Sequence, residues 1–95
     1  MDKYKRQRIR EKLADYAHEA WSGWMKHLFN KSKIMYSRDY QSDALNPGGV
    51  LIPDALVKRW QRQMTTPYSE LSEEEKDSDR KEADKILAIL EDHKL

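Results

Sequence analysis

Residues 66–80, TPYSELSEEEKDSDR, decide how this chain is read. Pro67 lacks a backbone donor and pushes Thr66 out of helical geometry, so any helix arriving here must stop. Ser72 and Glu75 then have the S-x-x-E spacing of a capping box, with Leu71 placed as its hydrophobic staple. Glu73, Glu74 and Glu75 fill a first turn whose dipole favours negative charge. A helix is therefore predicted from near Ser72 to about Asp92, with Ala83, Ile86, Leu87 and Leu90 as its buried stripe. Helix initiation accounts for most of the charge in the stretch.

Immediately upstream, IPDALVKRWQRQM (52–64) reads as a second helix. Pro53 suits its first turn and Asp54 complements its dipole. Leu56, Val57, Trp60 and Met64 share one face, while Lys58, Arg59 and Arg62 decorate the others. The N-terminal third predicts a longer helix from about Lys3 to Phe29. Ile9, Leu13, Tyr16, Ala17, Ala20, Trp21, Trp24 and Leu28 step by threes and fours along an apolar stripe expected to face inward. His18, Glu19, Ser22 and Lys26 fall on other faces. Gly23 costs about 1 kcal/mol against Ala in a helix interior; it is either a tolerated kink or a place of close approach for a backbone or ligand.

Between these helices, residues 30–52 are the least regular. Asn46-Pro47-Gly48-Gly49 signals a turn, and Val50-Leu51-Ile52 has the composition of a short strand that would pair with Ile34-Met35-Tyr36. The segment is either a binding loop or a flexible insertion. The expected fold is mainly α: one small three-helix domain, residues 1–95, with an irregular loop or short hairpin between helices 1 and 2.

A single domain is all that 95 residues support, and at this size only about 60–65% of the unfolded chain's surface is buried. Self-association would help such a core, and a homo-oligomer is expected. Three Trp, five Tyr and one Phe argue against disorder despite 37% charged residues. The absence of cysteine excludes disulfides and thiolate metal sites. No apolar run approaches the roughly 18–20 residues of a membrane span, and the basic N-terminus lacks the apolar run of a secretory signal. A cytoplasmic protein without membrane contact is the default expectation.

The net charge of +1 conceals an asymmetry. Residues 1–33 hold nine Lys/Arg against four Asp/Glu, and residues 67–95 hold five against ten. Either the two ends lie side by side or meet a neighbouring subunit, or the basic end attracts an anion such as phosphate or nucleic acid. DNA binding through the basic N-terminus is disfavoured by the long linker between helices 1 and 2 and by the acidic start of helix 3.

Catalytic motifs are absent: there is no G-x-S-x-G, no H-E-x-x-H and no Gly-rich phosphate loop. His18 and Glu19 point about 100° apart on a helix and do not converge on one atom. His18 and His27 lie on nearly opposite faces, so no metal is expected, nor any cofactor. Neither enzyme chemistry nor turnover is expected. The aromatic load is more telling. Trp21, Trp24 and Trp60 form either a packed core or, beside Arg and Lys, a stacking site for a planar phosphorylated ligand.

Two segments together resemble a known family. YAHEAWSGW (16–24) holds an H-E-x-W motif, His18 to Trp21. The segment RWQRQMTTPYSELSEEEKDSDRKEADKIL (59–87) holds P-Y-x-x-L-x-x-x-E-K-x-x-D-R, with Pro67, Tyr68, Leu71, Glu75, Lys76, Asp79 and Arg80 in place. The pair is similar to the RyR domain, the small module repeated in ryanodine receptors and found alone in bacteria and phages. Pro53 and Arg59-Trp60-x-Arg62-Gln63 look like the stand-alone prokaryotic branch; residues 30–52 match no part of the pattern. The resemblance implies a helical fold that binds adenine nucleotides or nucleotide-derived signals between aromatic side chains, without catalysis. It makes Trp21 the leading stacking residue and His18, Trp24, Trp60, Arg62, Tyr68, Lys76 and Arg80 the other ligand-binding candidates. Leu71, Glu75 and Asp79 are expected to cap and clamp helix 3. Tyr68, Lys76 and Arg80 have two roles open to them, ligand contact or tying helix 3 to helix 1. The expected function is sequestration of a nucleotide-derived signal, such as a cyclic ADP-ribose-like or cyclic-nucleotide immune signal held by a phage protein. A charge-driven protein–protein module and a small DNA-binding regulator are the alternatives.

Overall fold

A computed structural model describes residues 1–32 and 49–94 of the chain. Among these residues there are three α-helices and no strand: α1 (Lys3–Lys31), α2 (Asp54–Met64) and α3 (Glu73–Asp92), with a single 3₁₀ turn, Tyr68–Glu70, leading into α3. Val50, Leu51 and Ile52 form no strand, and Val50 and Leu51 are exposed. Their expected partner, residues 34–36, and most of the Asn46–Gly49 turn lie outside the described residues, as does the rest of the segment 33–48.

The helix ends follow local chemistry. The Asp2 carboxylate caps α1 by accepting from the Lys5 N–H at 2.8 Å. Pro53 precedes α2, and its carbonyl accepts from the Leu56 and Val57 N–H groups. The Thr66-Pro67 step ends α2 as expected, and the chain then turns through Tyr68–Glu70 instead of running irregularly into α3. The capping box of α3 is formed in both directions: Ser72 Oγ accepts from the Glu75 N–H at 3.2 Å, and the Ser72 N–H donates to Glu75 Oε1 at 3.4 Å.

α1 is the element on which α2, the 3₁₀ turn and α3 all pack. It runs antiparallel to α3, because partners that climb one helix descend the other. Arg6 pairs with Glu91, Arg10 with Asp84 and Arg80 with Glu11, at 2.9, 2.7 and 2.8 Å. The basic and acidic ends of the chain thus lie side by side. Between them sits a small core of Ala14, Tyr68, Leu71 and Ala83, with Leu13 packed against it. Ala14 and Ala83 are completely buried, and with no side chain beyond Cβ they let the two backbones approach. Leu87 is the one large side chain that is fully buried among the described residues.

α1 is rotated relative to the expected stripe. Its buried residues are Ala14, His18, Ser22 and Met25, whereas Tyr16, Trp24 and Leu28 are exposed. His18 and Ser22, expected outside, are inside. The reason is hydrogen bonding: His18 finds acceptors on both neighbouring elements, which no apolar residue of the expected stripe would satisfy. α3 buries Ala83 and Leu87 as expected, with Ile86 and Leu90 half-buried. No described helix is long and apolar enough to cross a membrane.

Leu87 supplies a direct check on this packing. Leu87→Ala is expected to cost about 2–5 kcal/mol, from lost transfer energy and the cavity left behind. Ile89→Ala, two residues away but 61% exposed, is expected to change stability by less than about 0.5 kcal/mol. Urea unfolding of the two variants measures both.

Candidate functional site

The three helices enclose a cleft of about 200 Å³. α1 contributes His18 and Trp21, α2 contributes Arg59, Trp60 and Gln63, and α3 contributes Glu74, Glu75, Ser78 and Asp79. Each set follows from helical spacing. Residues 18 and 21, 59 and 63, and the pairs 74/78 and 75/79 are three or four apart, which puts each set on one helix face.

His18 is the most buried of the residues that line the cleft. Its Nε2 lies 2.6 Å from the Thr66 carbonyl oxygen. A carbonyl only accepts, so Nε2 carries the proton and donates. Nδ1 then faces the Asp79 carboxylate at 3.5 Å, and the contact is attractive only with a proton between ring and carboxylate. Burial pushes the Asp79 carboxyl above its ordinary value, opposed by the attraction of His18. The Ser22 hydroxyl closes the group 3.5 Å from Nε2. One face of the arrangement is aromatic: the Trp21 indole stacks on the His18 ring, centroids 5.9 Å apart and planes inclined by 25°. Trp21 is thereby braced in a fixed orientation beside the cleft.

Glu75 ties the cleft's outer wall. One carboxylate oxygen accepts from Arg62 at 2.6 Å and from the Gln63 amide, while the other serves the Ser72 cap. These donors, the Arg62 guanidinium first, hold its pKa well down, at about 2 against an ordinary 4.5.

Of the residues expected to bind ligand, the structure brings together His18, Trp21 and Trp60. Arg62 lies behind them on Glu75 and does not line the cleft; its neighbour Arg59 does. Trp24 is 73% exposed outside the cleft, beside Glu19, Ala20, Gly23 and His27. Tyr68, Lys76 and Arg80 also stand apart from the cleft; Tyr68 and Arg80 reach α1, and Lys76 packs on the 3₁₀ turn. The Tyr68 hydroxyl donates to Glu11 Oε2 at 2.6 Å, and burial together with this bond pushes its pKa up to about 12. Arg80 donates to Glu11, Glu73 and Asp77. The Lys76 ammonium sits 5.6 Å from the Tyr68 ring centroid and 3.6 Å from Glu73. Glu11, which receives both Tyr68 and Arg80, is held below the usual carboxylate range, by the Tyr68 hydroxyl first.

Arg59, Gln63, Glu74 and Ser78 were not singled out in the sequence as lining residues. The available signal was the i,i+4 repetition on two consecutive helices, Arg59/Gln63 and Glu74/Ser78. Of the basic N-terminal residues behind the nucleic-acid reading, Lys3 to Lys12, two are engaged within the fold: Arg6 by Glu91 and Arg10 by Asp84.

Comparison with protein-family models, with curated proteins and with solved structures gave no match to this chain. The resemblance to the RyR domain rests on the two motifs alone.

The depressed pKa of Glu75 makes a pH prediction. Because its folded-state pKa lies below its unfolded value, its contribution to stability is fully present above pH 4.5 and is lost as pH falls towards about 2. Glu75→Gln is expected to cost about 1–3 kcal/mol at neutral pH and to flatten the acid limb of the stability profile across that window. Chemical denaturation as a function of pH, wild type against variant, reads out both effects.

Proposed function

We propose that this chain is a small RyR-like module that binds a nucleotide-derived ligand, base first, in the cleft between α1, α2 and α3, and holds it without turnover. One observation carries the reading. Trp21 and Trp60, from two different helices, line the same cleft as a half-buried, acceptor-bearing Asp79. Indole faces offer stacking to any planar base, worth about 1–3 kcal/mol each. Asp79, Gln63 and Ser78 offer hydrogen-bond partners to the polar edge of a base.

Size and charge refine the ligand class. A cleft of about 200 Å³ falls below the roughly 300–1,000 Å³ that enclose a drug-sized molecule. It suits a base, with the ribose and any phosphate left at the mouth. Glu74, Glu75 and Asp79 line it against one guanidinium, Arg59. That balance favours nucleosides and ligands of low phosphate charge over triphosphates, with Arg59 as the anchor for a single phosphate.

Calorimetry tests the proposal. Titrations of adenosine monophosphate, ATP, cyclic dinucleotides and cyclic ADP-ribose isomers are expected to show binding to at least one, with the monophosphate ahead of ATP. Trp21→Ala or Trp60→Ala is expected to weaken the bound ligand about 5- to 150-fold, while Tyr4→Ala, remote on α1, leaves it unchanged. Flat titrations across the panel would overturn the reading.

A further inference from the structure

The apolar stripe that the sequence places on α1 is only partly covered by α2 and α3: Ile9, Leu13, Ala17 and Trp21 are half-buried, while Tyr16, Ala20, Trp24 and Leu28 are left exposed. Tyr16, Ala20, Gly23 and His27 recur at spacings of four, three and four, the seam spacing of paired helices. Trp24 and Leu28 border them. Tyr16 is 65% exposed, Trp24 73% and Leu28 41%, a contiguous patch and not scattered single residues. Tyr16, Ala20, Gly23 and His27 lie far around the helix from buried Ala14, His18, Ser22 and Met25, whereas Leu28, three residues from Met25, sits at the edge of the patch.

Gly23 is the second observation. A glycine here weakens a 29-residue helix by about 1 kcal/mol, yet nothing among the described residues needs it. A Cβ at this position would meet no atom within 4 Å. The space that the missing side chain leaves opens outward, beside Ala20 and under Trp24.

Charge gives the third. Glu19 and Lys26 lie two turns apart on one flank of this seam, and among the described residues neither has an ion-pair partner. An antiparallel copy of α1, related by a twofold axis between residues 22 and 23, preserves the flank and reverses the direction. It sets Glu19 beside Lys26 of the partner subunit, twice by symmetry. The same register lays Trp24 over Ala20 of the partner subunit, large against small at the centre.

We propose that this face of α1 is the interface of a homodimer, formed by antiparallel packing of two α1 helices across Ala20 and Gly23. The cleft lined by Trp21 and Trp60 shares no lining residue with this face, so dimerisation does not depend on the ligand reading.

Sedimentation equilibrium on the full chain is the test. The wild type is expected to show a monomer–dimer equilibrium. Glu19→Lys and Lys26→Glu, each placing like charges opposite one another twice, are each expected to raise the dimer Kd about tenfold or more. The double swap, Glu19→Lys with Lys26→Glu, restores the wild-type Kd. Gly23→Gln is expected to raise the melting temperature of the monomer while weakening the dimer, opposite signs that a merely structural role for Gly23 does not give. Circular dichroism confirms that each variant folds. A wild type that stays monomeric at its solubility limit, or a double swap no better than the single reversals, overturns the proposal.

Discussion

The placement of the His18 side chain governs the rest of the molecule. Its Nε2 is committed to the Thr66 carbonyl at the end of α2, and its Nδ1 faces Asp79 on α3. A ring held from both sides fixes the rotation of α1 about its own axis. That rotation turns a polar face inward, carries Trp21 to the edge of the cleft and leaves Tyr16 and Trp24 outside. One hydrogen-bonded imidazole therefore orients the candidate binding site and the exposed seam together. Partly unsatisfied, such a buried group would cost more than it contributes; here no buried side-chain polar atom lacks a partner among the described residues.

The second organising feature is charge. The core is built largely from Ala14, Ala83, Leu71, Leu87 and Tyr68, little apolar volume for a domain of this size. Glu11 compensates locally, receiving the Tyr68 hydroxyl and the Arg80 guanidinium where the 3₁₀ turn, α3 and α1 meet. Arg6 and Arg10 repeat the pattern along the antiparallel α1–α3 contact. Exposed pairs such as Arg6–Glu91 add little energy singly, but their common direction specifies which way α3 lies on α1. The +5 and −5 ends of the sequence are two halves of one contact.

Much of the fold was legible in the sequence because it depends on local chemistry. The S-x-x-E box, the Thr66-Pro67 stop and the stripe at Ala83 and Leu87 each act within a few residues, and each is found where it was expected. The rotation of α1 was not legible. Hydrophobic periodicity ranks Trp24 above His18 for burial, and only the tertiary position of Thr66 and Asp79 reverses the order. The stripe was nevertheless a real signal: Leu13, Ala17 and Trp21 are half-buried within the fold, and the exposed Tyr16, Ala20 and Trp24 are what a second copy would cover. The candidate site was half legible for the same reason. Trp21 and Trp60 announced themselves by type, whereas Arg59, Gln63 and Ser78 become lining residues only once α2 and α3 face each other. Tyr68 and Arg80 belong to a motif whose physical use here is to join the 3₁₀ turn and α3 to α1, while its Lys76 sits over the Tyr68 ring.

The three tryptophans offer the most direct test, because each gives one indole N–H signal in a heteronuclear NMR spectrum. Titration with a nucleotide of the preferred class should move the Trp21 and Trp60 signals together and leave Trp24 in place. Dilution, by contrast, should move Trp24 alone. A titration that shifts Trp24, or shifts none of the three, would contradict the division of α1 into a ligand-facing side and an outward-facing one.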